Sequence, residues 1–186
     1  QQAGWVQGNP HLARGEAKVI LNEVNSADPS ILKGCVEVAG KKADVIIANP
    51  AGIHCEGCGV INSERVTITT GTAQIKQGHL DALVVEKGKV KVSGTGMDNS
   101  RTDYTDIIAR ETELNAGVWA NKEVKVITGK NTVAPRSAQS DVQIIHQRQA
   151  TTTETTPQFA VDVGELGGMY AGKVHLIGTE QGVGVR

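Results

Sequence analysis

The chain has 186 residues, and 19 Lys and Arg against 20 Asp and Glu leave a formal charge of -1. That balance excludes a long polybasic tail and, with hydrophobic residues at 39%, a wholly disordered chain, which has more charge excess and less apolar surface. No run reaches the roughly 18 apolar residues that cross a bilayer as a helix, and the opening QQAGWVQ, with no cationic segment ahead of an apolar stretch, reads as the cut end of a mature or trimmed fragment.

Short bursts of apolar residues with period two predict strands, in chain order, at 17–24, 35–39, 44–48, 60–61, 65–70, 82–86, 89–93, 107–109, 117–120, 124–128, 142–146, 159–163 and 173–177. Period 3.6 is not sustained over any window of helical length. Segments 30–32 and 110–115 have room for a single helical turn at most, because Gly and Asn stand close by. Val, Ile and Thr together exceed a quarter of the chain, a composition that suits pleated surfaces. The expectation is an all-β fold.

A looser pattern runs through these strands. Two spaced apolar residues, closed by a small or hydroxylated residue and glycine, recur as VEVAG (36–40), VTITTG (66–71), VKVSG (90–94), VKVITG (124–129) and VHLIG (174–178). A strand, a glycine-rich corner and another strand are what a coiled solenoid of β-strands requires, with inward residues stacked turn on turn. Aromatic residues are only 3% of the chain, and a narrow coil admits aliphatic side chains more easily than rings. An ordinary β-sandwich is the alternative. Two stretches are expected to leave the coil: 95–106 (TGMDNSRTDYTD), polar and turn-rich, and 131–158, which contains a threonine tract ending at Pro157. The second is read as an extra-helical β-hairpin with arms at 142–146 and 159–163, or else as a disordered insert.

Two Asn-Pro motifs stand out, Asn9-Pro10-His11-Leu12 and Asn49-Pro50-Ala51-Gly52-Ile53. Asparagine bonds backbone groups two residues on and proline fixes the next φ, so each motif preorganises a tight corner, with Gly52 free to take a left-handed backbone. These motifs, the context ADVIIANPAGIHCEGCGVIN at 43–62, TITTG at 67–71 and the closing VDVGELGGMYAGKVHLIGTEQGVGV at 161–185 together resemble the secretion domain of two-partner-secretion exoproteins. That group includes filamentous haemagglutinins, haemolysins and contact-dependent growth inhibition proteins, and the Cys55-Glu56-Gly57-Cys58 pair resembles the last of these most. The resemblance spans nearly the whole chain, read as one domain over 1–186. His11 and Ala51 depart from the usual third motif position, where the family commonly has Asn.

The resemblance implies a right-handed parallel β-helix with extra-helical elements, at the amino end of a large exported toxin or adhesin. It implies no catalytic role and no cofactor. The implied partner is an outer-membrane β-barrel transporter whose periplasmic docking domains read the domain as an export address, with no direct membrane insertion and display at the cell surface or secretion. Asn9, Pro10, His11, Leu12, Asn49, Pro50, Ala51, Gly52 and Ile53 are carried over as the recognition and corner motif. Only eight residues precede the first motif, so the amino-terminal cap usual in the family is expected to be missing and the first turn to be open to association.

Taken by itself, Cys55–Cys58 fits a redox pair, half of a zinc site with Cys35 and His54, or a short-loop disulfide. The exported compartment implied by the resemblance favours a Cys55–Cys58 disulfide and no metal, leaving Cys35 as a small buried hydrophobe. Acidic residues such as Asp103, Asp106, Glu111 and Glu113 are scattered, and the five histidines lie in separate segments without a nucleophile motif, so no enzyme chemistry is expected. Nucleic-acid binding lacks a basic stripe and stacking rings. Direct binding of surface glycans is the remaining alternative function, weakened by the few aromatics.

Overall fold

The computed structural model describes residues 18–135, 142–147, 161–163 and 168–179, and among these every regular element is a strand. The first turns carry β1 (Lys18–Glu23), β2 (Ser30–Glu37), β3 (Ala43–Ala48), β4 (Ile53–Ile61) and β5 (Ser63–Thr69). A hairpin, β6 (Thr72–Lys76) and β7 (His79–Val84), precedes the long β8 (Lys89–Asn99). Then come β9 (Tyr104–Ala109), β10 (Glu111–Leu114), β11 (Gly117–Ala120), β12 (Glu123–Thr128), β13 (Asn131–Ala134), β14 (Gln143–Gln147), β15 (Val161–Val163), β16 (Gly168–Tyr170) and β17 (Lys173–Gly178).

One wall is the row β1-β3-β5-β9-β12-β17, in which every neighbouring pair is parallel. The facing wall runs β2-β4-β8, after which the first half of β8 pairs with β10 and its second half with β11, and these pair in turn with β15 and β16. Consecutive strands are never neighbours in either wall, so the chain alternates between walls and rises one level per circuit. That is a parallel β-helix.

The period-two pattern explains the interior. Strict register stacks Val45, Val66, Thr105, Val124 and Val174 in one ladder and Ile47, Ile68, Ile107, Val126 and Leu176 in the next. From the facing wall come Ile53, Val90 and Thr112, then Cys55, Val92 and Leu114, then Cys58, Met97 and Val118. Most of these side chains are fully buried in one continuous core. Each Val or Ile contributes about 1.5–3 kcal/mol by leaving water, and branched side chains keep fixed rotamers on a pleated wall. Ile46 is buried but lies between Val45 and Ile47 on the outward face and joins neither apolar cluster.

A third sheet lies outside the coil. It is antiparallel in the order β14-β13-β7-β6, and Leu83, Val85 and Val133 bring it down on Ile108 and Ile127 of the first wall. Extra-helical strands are therefore present within 131–158 as expected, joined by the unexpected hairpin β6–β7, but the arms of the expected hairpin pair differently. Segment 142–146 falls almost wholly in β14, which pairs with β13, whereas Val161–Val163 is a coil strand parallel to β10. The rest of the expected hairpin, 136–141 and 148–160, lies outside the described residues.

The expected excursion at 95–106 is also corrected. Residues 95–99 complete β8, 104–106 open β9, and only 100–103 form a turn between them. Three of the polar residues that suggested a loop are buried and bonded: Asn99 Oδ1 accepts from Val60 N at 2.9 Å, Asn99 Nδ2 donates to Thr105 Oγ1 at 3.2 Å, and Thr102 Oγ1 donates to Val60 O at 3.3 Å. Buried polar groups are tolerated where they find such partners. The two segments given room for helical turns are strands β2 and β10, because ladder pairing overrides a local preference for a turn.

Candidate functional site

Asn49-Pro50-Ala51-Gly52 forms the corner from β3 into β4. Gly52 N donates to Asn49 O at 3.0 Å, closing a four-residue turn with Asn first, Pro second and Gly last, the order a type I turn favours. Ala51 N donates to Asn49 Oδ1 at 3.0 Å, so the asparagine side chain braces its own turn from inside. Asn49 Nδ2 then donates to Asp28 O at 3.1 Å and Ser30 Oγ at 2.9 Å in the preceding turn of the coil. On the other side, Asn49 N donates to Thr69 O at 3.0 Å in the following turn. With Asn49 wholly buried, one side chain ties consecutive levels together.

Glycine is required at two places around it. Gly52 has φ 127°, and a Cβ there would stand 3.0 Å from Lys89 O. One level on, a Cβ at Gly88 would stand 2.5 Å from Pro50 O and 2.8 Å from Thr70 Cβ. Ile53, 0% exposed, starts the interior ladder with Val90 immediately after the corner. The polar atoms of this motif are engaged with backbone and a neighbouring hydroxyl, and it presents no nucleophile or proton-transfer group. Asn9, Pro10, His11 and Leu12 lie outside the described residues.

The facing wall has its own corner. Gly34 (φ 82°), Gly57 (φ 68°) and Gly94 (φ 66°) bend β2, β4 and β8 near one level of the register. Cys55 and Cys58 bridge this bend from the core side as a disulfide with Cα atoms 5.5 Å apart. Cys35 is a free thiol and is exposed, not buried as expected, because it pairs with Gly59 on the outward side of β2, where little covers the strand. The short loop limits what the disulfide contributes. Chain-entropy reasoning gives about 2 kcal/mol for closing so few residues. Reducing it, or replacing Cys55 and Cys58 with Ala, should lower the denaturant midpoint by that modest amount and leave the cooperative transition in place.

Charges on the outside of the coil are paired by the same register. On the facing wall Lys33 meets Glu56 at 3.1 Å, and Lys89 and Lys91 approach Glu113 at 3.3 and 4.0 Å. Hydrogen bonding from Asn115, then Lys89, holds the Glu113 carboxyl below its usual range; Asn121 and then Lys122 do the same for Asp103, and Ser100 for Asp98. A depressed carboxyl contributes stability that is complete above its unfolded value, about pH 4 to 4.5, and is lost as pH falls through the lower folded value. The thermal midpoint should therefore decline on acidification below about pH 4.5, and Glu113→Gln should reduce that decline.

Sequence reasoning missed a buried ionic row on the outer face of the first wall. Arg65 and Asp106 form a buried ion pair, the Arg65 guanidinium lies 4.6 Å above the Tyr104 ring, and Lys125 meets Glu123 at 3.6 Å. The register Arg65–Tyr104–Glu123 and Asp106–Lys125 brings these together from three strands. Within β12 the spacing of Glu123 and Lys125 hints at their pair, but no single strand shows that Arg65 lies alongside Tyr104 and Asp106. Among the described residues no group of His, Cys, Asp and Glu is arranged to hold a metal ion.

Comparison with known proteins gives this geometry its context. The family profile described as TPS secretion domain matches residues 9–186. Over its whole length the chain is 56% identical to Toxin CdiA of Yersinia pestis and 46% identical to tRNA nuclease CdiA of Escherichia coli (strain STEC_O31). It spans only 5% and 6% of those proteins, so their toxin and nuclease names describe far longer chains. The crystal structure of the filamentous hemagglutinin secretion domain superposes with a TM-score of 0.78 at 31% identity, over 90% of this chain and 57% of that one.

Proposed function

This chain belongs to the TPS secretion domain family, and from that premise we propose that it is a non-catalytic export address which also seeds folding of the exoprotein it introduces. The partner is an outer-membrane β-barrel transporter, whose periplasmic docking domains bind the domain before the chain passes to the cell surface or medium. Unpaired strand edges are templates for further pairing, which gives the encounter a physical basis.

The observation that carries the seeding role is the last described level of the coil. In β17, Val174 and Leu176 continue the two interior ladders, yet they are 39% and 36% exposed while their partners Val124 and Val126 are 0% exposed. An apolar rim with ladder positions already set is a surface on which another turn gains burial at once. Growth by successive turns releases free energy outside the membrane, where it helps draw the chain outward without nucleotide.

Two measurements test this reading. The chain should be retained by the immobilised periplasmic docking domains of its transporter, and retention by surface glycans alone would replace export address with adhesin. Leu176→Asp in the longer exoprotein should leave docking intact while reducing surface display severalfold. Normal display would remove the rim from the mechanism.

A further inference from the structure

We infer that the extra-helical sheet is a clamp that joins non-adjacent turns, so that the coil from β5 to β12 folds and opens as one unit. In a simple solenoid each turn touches only its neighbours, and turns can fray one at a time. Here the hairpin β6–β7 leaves the chain after β5, and β13–β14 leaves it after β12, with the turn of β9 between them. The two excursions meet above that middle turn. Val84 pairs with Thr132 and Leu83 with Val133, and Val85 N donates to Asn131 O at 2.8 Å.

What lies beneath the join is apolar and continuous. Ile108, Ile127 and Ile177 stand in register on successive strands of the first wall, and Leu83, Val85 and Val133, each 0–1% exposed, close over Ile108 and Ile127 with Ile177 packed alongside. The middle turn is tied in by hydrogen bonds as well. Arg110 N donates to Thr70 Oγ1 at 3.3 Å, and Arg110 Nη1 donates to Glu86 O at 2.8 Å on the segment leaving β7. Opening the turn of β5 therefore requires breaking contacts made by strands two levels away. By contrast β1 and β2 receive no strand from this sheet, and most of β2 is exposed.

The clamp refines the seeding reading by naming the nucleus: turns that emerge first stay loosely held until β13 and β14 arrive and lock three levels together. Native-state hydrogen exchange on the isolated chain tests it without any transporter, so its failure would leave docking untouched. Amides of β5, β9 and β12 should exchange through one opening shared with β7 and β13, and those of β1 and β2 through easier, separate openings. Val133→Ala should then raise exchange roughly tenfold or more in all of these strands together. The decisive strand is β5, since none of its side chains belongs to the apolar cluster under the sheet. Faster exchange confined to β6, β7, β13 and β14, with β5 unchanged, would overturn the clamp. Should Val133→Ala fail to fold, Ile144→Val on β14, which trims one methyl group packed against the same cluster, gives the same readout from a smaller perturbation.

Discussion

Val66→Asp should abolish the cooperative unfolding transition and, in the exported protein, surface display. Val66 is 0% exposed and stands in the interior ladder between Val45 and Thr105, with Val124 one level further on. Among the described residues a carboxylate there has no cation beside it and a single neighbouring hydroxyl in the ladder, that of Thr105, which already bonds Asn99. It must either stay ionised in an apolar interior or take up a proton at a pH about three units above the ordinary aspartate pKa, and either course costs about 4 kcal/mol or more at neutral pH. The lost burial of valine adds about 2 kcal/mol. Together these approach the whole stability of a domain this size, typically about 5–15 kcal/mol. Ile75→Asp is the control, since Ile75 is 51% exposed at the outer edge of the extra-helical sheet and should shift stability by no more than about 0.5 kcal/mol. A Val66→Asp protein with a native denaturant midpoint would mean that the stacked ladder is not what holds the coil.

Ile46 shows how finely the sequence must be read. Its strand ADVIIA is apolar throughout its second half, so the sequence alone reads Ile46 as part of the coil interior, which the structure corrects. Register settles the matter: Val45 and Ile47 fall in line with Val66 and Ile68, and Ile46 with Thr67 and Asp106. Wherever alternation is clean, as in VTIT or VKV, the sequence already assigned the inner face correctly. It was least informative where polar residues point inward. Asn99 and Thr102 look like a loop because their partners, Val60 N and Val60 O, belong to a strand about forty residues earlier, and Thr105 is held in turn by Asn99. The hairpin β6–β7 was half visible. Its tip is Gln77-Gly78, both with positive φ (51° and 76°), which is the two-residue turn a hairpin favours, but glutamine is not among the residues that announce it. Arg65, Asp106 and the exposed Cys35 depend on which strand lies alongside, a long-range fact that no local pattern encodes.

Asn49→Ala is the second large expectation, about 2–4 kcal/mol of lost stability, and it separates two ways for the motif to serve export. The substitution strands Ala51 N, Asp28 O and Ser30 Oγ, which Asn49 now satisfies at 2.9–3.1 Å in a buried corner. Each orphaned group costs about 1–3 kcal/mol, reduced where the corner admits water. Asn49→Asp keeps the acceptor for Ala51 N but sets a buried carboxylate oxygen against the Asp28 carbonyl oxygen, which repels it, so it should lose at least as much as Asn49→Ala. Gly52→Ala, strained at φ 127° and 3.0 Å from Lys89 O, should lose about 1–3 kcal/mol through the same corner without touching the asparagine. If the motif acts by holding register, surface display across these three variants follows their denaturant midpoints. Display lost in Asn49→Ala at an unchanged midpoint, with Gly52→Ala displayed normally, would instead mean that the transporter reads the asparagine itself, which the buried, fully engaged side chain argues against.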